Sequence, residues 1–187
     1  QRLSAKIFNY TASSPRVYIT QGFIAGTSKG TTTTLGREGS DYTAAILANL
    51  LNASDVTIWK DVEGVLNADP RTFANTIKLN RVSFKEAIEL AYCGAQIIHP
   101  KTIKPLQNKS IKLYVKSFLK PFAEGTLVYQ TDSAIIYPPL LIQKTNQVLI
   151  SLTPLDFSFV IEDCLSRIFG ILFRNRVKVN LVQSSAI

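Results

Sequence analysis

The sequence has no methionine, one histidine, one tryptophan and only two cysteines in 187 residues. Cys93 and Cys164 sit in helix-like patterns with no CxxC spacing and no neighbouring histidine, which leaves a disulfide framework or a zinc site without support. No apolar run reaches the roughly 18 residues that a membrane helix needs, and the start QRLSAKIFNY has neither the apolar stretch nor the cleavage pattern of a signal peptide. These absences predict a soluble, cytoplasmic protein with no membrane partner. The missing methionine, with Gln1 at the start, reads as a fragment of a longer chain.

What is present is an apolar fraction of 46% and a net charge of +8, from 21 Lys and Arg against 13 Asp and Glu. Clustered basic residues would suggest phosphate backbones as partners. Here they recur singly beside apolar residues, at Lys101, Lys104, Lys109, Lys112, Lys116 and Lys120, the pattern of a solvated face. No nucleic-acid partner is expected.

Patterning alternates strands and helices. Residues 2–10 read as the end of a helix, Val17–Ile24 as a buried strand, and the stretch after Ser40 as a helix with Ala44, Ala45, Ile46, Leu47, Leu50 and Leu51 on its apolar face and Ser40 or Asp41 as its cap. Val56–Trp59 is a second strand, with Trp59 expected in the core together with the other aromatics. Ser83-Phe-Lys-Glu86 is a capping box, and Gly94 fits the end of its helix. A short helix after Pro100, with His99 as a hydrogen-bonding residue at its start, and a strand at 111–118 complete an α/β order that implies a largely parallel sheet. Pro138, Pro139 and the polar residues of 125–146 mark a connection to a new unit: a strand at 147–152, a helix at 163–174 with Leu165, Ile168, Phe169 and Leu172 inward, and a strand at 177–183.

Two loops carry chemistry-bearing residues. Thr31–Asp41 places glycines, Arg37 and Ser40 where a helix begins, and free N–H groups with the positive end of the helix dipole favour an anion there. A guanidinium adds a bidentate clamp for a carboxylate or phosphate. A tight turn of threonines and glycines fits the same residues. Trp59–Arg71 begins where a strand ends, the edge at which open α/β sheets bind ligands. Lys60 and Arg71 can face phosphates there, and Asp61 and Asp69 can orient ribose or basic side chains; a charged Asx-Pro turn is the alternative.

Together, Gln21-Gly-Phe-Ile-Ala-Gly-Thr, Thr32-Thr-Thr-Leu-Gly-Arg-Glu-Gly-Ser-Asp-Tyr-Thr-Ala-Ala45, Ile58-Trp-Lys-Asp-Val-Glu-Gly-Val, Ala68-Asp-Pro-Arg71 and Gly94-Ala-Gln-Ile-Ile-His-Pro100 resemble the aspartate kinases, in order and spacing through Thr126-Leu-Val128. The resemblance implies an amino-acid-kinase three-layer sandwich with a mainly parallel sheet, here its C-terminal part at 1–128, a linker at 129–146, and the first part of a ferredoxin-like ACT regulatory domain at 147–187. It implies aspartate binding by Phe23, Arg37, Gly39, Ser40 and Asp41, with Arg37 and Asp41 catalytic, and ATP binding by Lys60, Asp61, Leu66, Arg71 and Gln96. Position 96 is often Lys in the family and position 66 often Tyr, so Gln96 lacks a charge and Leu66 a hydroxyl.

The implied reaction moves the γ-phosphoryl of ATP, with Mg²⁺ on the nucleotide phosphates and no separate protein metal site, to the side-chain carboxylate of aspartate. That carboxylate is ionised at neutral pH, so positioning and charge neutralisation suffice without a general base. The ACT resemblance implies a homodimer or higher homo-oligomer and an amino-acid effector, lysine favoured over threonine, at Asn180, Ser185 and Ile187. Rival expectations are another enzyme of the same fold, or a catalytically incomplete fragment acting as an amino-acid-binding module. The 187 residues alone are expected to be inactive.

Overall fold

A computed structural model of the protein describes residues 17–153 and 162–184. The alternation of strands decides its architecture. In β3 (Asp55–Lys60) Val56 and Ile58 are buried, and β5 (Lys112–Ser117) buries Leu113, Val115 and Ser117. The two strands run parallel with Val56 opposite Leu113 and Ile58 opposite Val115, so their buried side chains share one face. β6 (Thr126–Tyr129) pairs antiparallel with β5, and β4 (Arg81–Ser83) pairs parallel with β6, giving the order β3-β5-β6-β4. The outcome is a mixed α/β fold with a mainly parallel sheet. A separate two-stranded hairpin, β1 (Ile24–Gly26) with β2 (Thr32–Thr34), precedes it.

Three helices share the sheet's buried core: α1 (Gly39–Leu51), α2 (Phe84–Cys93) and α3 (Pro100–Gln107). Ala45 and Ala48, Phe84 and Leu90, and Ile103 and Leu106 join Val56, Ile58, Leu113, Val115 and Val128 in one cluster. Ile103 and Leu106 are fully buried, so truncating either to alanine would cost about 2–5 kcal/mol. Local chemistry sets the helix ends. The Ser83 hydroxyl accepts from the Glu86 N–H (3.0 Å), Gly94 ends α2 at φ 120°, and His99 Nδ1 accepts from the Lys101 N–H (3.1 Å) ahead of α3. His99 is therefore the structural cap its position suggested.

Several expectations are corrected. Trp59 is not in the core but 47% exposed: Val56 and Ile58 take the inward positions, so the period of two sends Trp59 outward, where the Lys116 ammonium lies 5.5 Å from the ring centroid. The expected strand at 17–24 reduces to Ile24–Gly26, because Phe23 adopts φ 73° and breaks the extended run. Neither Ser40 nor Asp41 caps α1. The helix starts one residue earlier, at Gly39, and Glu38 at its N-cap is left-handed and makes no side-chain cap.

The chain divides into two compact units, Gln1–Lys144 and Thr145–Ile187. In the second, α4 (Glu162–Arg174) matches the expected helix and carries acids in its first turn and Arg174 in its last, complementing its dipole. Leu165, Ile168 and Leu172 are half-buried, but Phe169 is exposed. The strands expected at 147–152 and 177–183 do not form among the described residues; the segments meet through Asn180 Nδ2 donating to Gln147 Oε1 (2.6 Å), a side-chain contact with no backbone ladder beneath it. The helix expected at 2–10, and Ser185 and Ile187, lie outside the described residues. No helix among those residues is long and apolar enough to cross a membrane.

Candidate functional site

The loop before α1 is held by backbone strain and close approach. Phe23 (φ 73°) and Glu38 (φ 54°) both occupy the left-handed region, costly for side-chain-bearing residues and concentrated at functional sites. One hydroxyl ties Phe23 to the helix start: Thr43 Oγ1 accepts from the Phe23 N–H (3.0 Å) and donates to the Gly39 carbonyl (2.8 Å). The Leu35 N–H donates to the Phe23 carbonyl (2.8 Å) and closes the hairpin base on the helix start. A Cβ at Gly39 would stand 2.7 Å from the Phe23 ring, so only glycine fits. Gly22 approaches Ser40 almost as closely. Phe23, Gly39, Ser40 and Asp41 are thus brought together. Arg37 is exposed beside them, with no ion pair among the described residues. Glu38 buries one carboxylate oxygen with no hydrogen-bond partner among them.

Asp41 links this loop to the end of β3. Its Oδ2 lies 2.7 Å from Lys60 Nζ, with side-chain exposures of 16% and 24%. A charge-assisted bond this sheltered is worth about 2 kcal/mol, and removing either partner leaves the other charge uncompensated. The pair joins a residue expected on the aspartate side to one expected on the ATP side. It therefore brings the two loops into contact.

Beyond Lys60 and the exposed Asp61, the chain makes a long loop closed on itself. Gly64, at φ 146°, lies against Thr126, whose buried hydroxyl accepts from the Val65 N–H (2.9 Å) and donates to the Leu79 carbonyl (2.6 Å). Leu66 bridges Lys78, and the Leu79 N–H donates to the Val65 carbonyl (2.8 Å). Farther out, Asp69 Oδ1 accepts from the Arg71 N–H (2.9 Å) and Nε (3.1 Å), and Oδ2 accepts from Nη2 (2.9 Å). Hydrogen bonds from Arg71 hold the Asp69 carboxyl below the usual carboxylate range; Asp69 in turn raises Arg71, with a smaller contribution from Asp61. Lys120 pairs with Glu63 and lowers its carboxyl in the same way, by hydrogen bond and charge. Gln96 is exposed in the turn between α2 and α3 and bonds to neither cluster among the described residues.

Glu38, Thr43, Asn67 and Thr126 were not singled out by sequence. Thr43 had a signal, since it stands four residues after Gly39 on one helix face. Thr126 had none, because its partners lie 61 and 47 residues away.

A model of the amino acid kinase family matches residues 2–117. The chain belongs to the amino acid kinase family. Among curated members of this family, lysine-sensitive aspartokinase 3 of Escherichia coli is 42% identical over 170 residues, covering 90% of this chain and 37% of that protein. Crystal structures of E. coli aspartokinase III superpose with TM-scores of 0.65 for the R-state complex with aspartate and ADP (38% identity, 88% of this chain, 37% of that one) and 0.63 for the T-state complex with lysine and aspartate (37% identity, 89% and 37%). The chain therefore spans little more than a third of the length of these amino acid kinase relatives.

Proposed function

We propose that this chain is the part of an aspartate kinase that receives L-aspartate and closes on ATP, in an enzyme forming 4-phospho-L-aspartate at the head of lysine, threonine and methionine biosynthesis. The observation that supports the proposal is the Asp41–Lys60 pair, which holds a cation between the two loops; preorganised positive charge is what phosphoryl transfer draws on. The similarity to aspartokinases across both loops supports the choice of aspartate as acceptor.

Arg37 holds a substrate carboxylate, while Phe23, Gly39 and Ser40 shape the floor beneath it. Asp41 orients Lys60. Lys60 and Arg71 oppose the phosphate charge, Asp61 and Leu66 border the nucleotide, and Gln96 offers an uncharged amide where the family often has a cation. The phosphates carry Mg²⁺ with them, and aspartate, already ionised, needs no base. The enzyme works in the cytoplasm.

Residues 147–187 begin an ACT-type regulatory unit that pairs between subunits of a homodimer and takes lysine in preference to threonine, through Asn180, Ser185 and Ile187. The lysine-sensitive relative supports the choice of effector.

The test is ADP formation by the full-length protein with aspartate or glutamate as acceptor. Aspartate-dependent turnover is expected; none, or an equal rate with glutamate, would remove aspartate as the substrate. Lysine titration of the wild type and of Ser185→Phe tests the regulatory part, and equal inhibition of both would take Ser185 out of the effector site.

A further inference from the structure

Asn67 uses every hydrogen-bonding group it has. Its N–H donates to the Ile77 carbonyl (2.9 Å) and its Oδ1 accepts from the Ile77 N–H (2.7 Å), which closes the loop between Leu66 and Lys78. Its Nδ2 donates to the Pro139 carbonyl (3.0 Å) and its own carbonyl accepts from the Leu141 N–H (2.8 Å). The second pair of bonds reaches a different stretch of chain, 72 residues away.

That stretch forms a strap over the first unit. The Tyr137 hydroxyl accepts from the Ser83 N–H (3.2 Å) at the start of α2, and Tyr137, Leu140 and Ile142 pack on the core. The Lys144 side chain lies against Gly94, where an added Cβ would stand 2.7 Å from its Cε. Residues 137–144 thus run from the α2 cap, past the loop bearing Leu66 and Arg71, to the turn that precedes Gln96. The next residue, Thr145, opens the second unit.

We propose that Asn67 is a positioning residue that couples the nucleotide-side loop to this strap, so that nucleotide binding tightens the strap and a displaced strap slackens the loop. The proposal rests on the nucleotide assignment made above. A side-chain amide carries a donor and an acceptor on one planar group that does not titrate, which lets Asn67 hold Ile77 with one atom and Pro139 with the other. Any coupling between loop and strap is reciprocal by linkage, so a partner that moves the strap from the second unit would alter ATP affinity by the factor with which ATP alters its own.

Asn67→Asp separates the two halves of the bond set, keeping an acceptor for the Ile77 N–H and setting a carboxylate against the Pro139 carbonyl. Leu141→Pro removes the strap's own donor to the Asn67 carbonyl and leaves the side-chain bonds of Asn67 to Ile77 and Pro139 in place. Hydrogen exchange of the full-length protein with and without Mg-ADP reads both sides. In the wild type, Mg-ADP should slow exchange across 139–142 by about threefold or more. In both variants that response should vanish, while Asn67→Asp keeps Ile77 protected. Steady-state kinetics should show the ATP KM of Asn67→Ala raised about fivefold, with the aspartate KM unchanged and kcat within about twofold, a split that general loss of fold would not produce. If Mg-ADP binds the wild type and 139–142 does not respond, or if Asn67→Asp and Leu141→Pro respond as the wild type does, the coupling is overturned alone. If Mg-ADP does not bind the wild type, the nucleotide assignment falls, and the coupling with it.

Discussion

The two loops of the site are built by different means. The loop from Phe23 to Asp41 is held by backbone: two left-handed residues, a glycine under an aromatic ring, and one threonine hydroxyl bridging hairpin and helix. The loop from Asp61 to Leu79 is anchored at its base by Thr126, but its outer half hangs on the exposed Asp69–Arg71 pair and on Asn67. Backbone strain is insensitive to salt and pH, whereas exposed ion pairs yield to both. The loop proposed to receive the acceptor is thus preorganised, and the loop proposed to meet the nucleotide is adjustable.

The largest effect should come from the link between the loops. Lys60→Ala in the full-length enzyme removes preorganised charge from the phosphoryl path, and kcat should fall about 10²- to 10³-fold. Asp41→Asn should lose less, since the ammonium remains but is no longer held. Equal KM changes with kcat intact in both variants would show that the pair serves binding only. Next comes Arg37→Ala, which should raise the aspartate KM about 10- to 100-fold and leave the ATP KM within about twofold, because a bidentate carboxylate clamp is lost on one side alone. A rise in the ATP KM without one for aspartate would exchange the two loops. Smaller again is Gly39→Ala, where the added methyl meets the Phe23 ring; a loss of about 1–3 kcal/mol in chemical denaturation is expected, against almost none for Gly26→Ala, whose Cβ would meet open space.

The same contrast explains what could be read from sequence. The Ser83 hydroxyl cap, the glycine end of α2 and the His99 cap were legible because each involves residues within four positions of one another, whereas the reciprocal half of the expected capping box does not form, the Ser83 N–H donating to the distant Tyr137 hydroxyl instead. The parity of β3 was legible too, through Val56 and Ile58, and should have placed Trp59 outside; its aromatic character was given weight that its register denies. The helix begins at Gly39 behind a left-handed Glu38 and not at Ser40, a conformation that no local pattern of residue types reveals. β4 and β6 have only three and four residues and no long alternation to announce them. Asn67 looks like an ordinary turn residue until Pro139 and Leu141 arrive.

The smallest expected effect tests how adjustable the nucleotide side is. The pKa of Asp69 is lowered in the folded protein by its hydrogen bonds to Arg71, so the ion pair contributes stability above the ordinary carboxylate pKa and loses it as pH falls through the lowered folded value. Arg71 is shifted upward and stays protonated throughout that window, so the titration belongs to Asp69. Because both side chains are largely exposed, the contribution is small and salt-sensitive. Asp69→Asn should therefore lower the Tm slightly at pH 7, and the difference from wild type should shrink as pH falls below the usual carboxylate range and shrink likewise in about 1 M salt. The Thr126 anchor offers the contrast, since a neutral buried hydroxyl neither titrates nor is screened: Thr126→Val should lower the Tm by several degrees, equally at both pH values and both salt concentrations. No deficit in Asp69→Asn at either pH would mean that the turn depends on the Asx bond to the Arg71 N–H, which asparagine also makes, and not on charge. The outer loop would then be as rigidly built as the acceptor side.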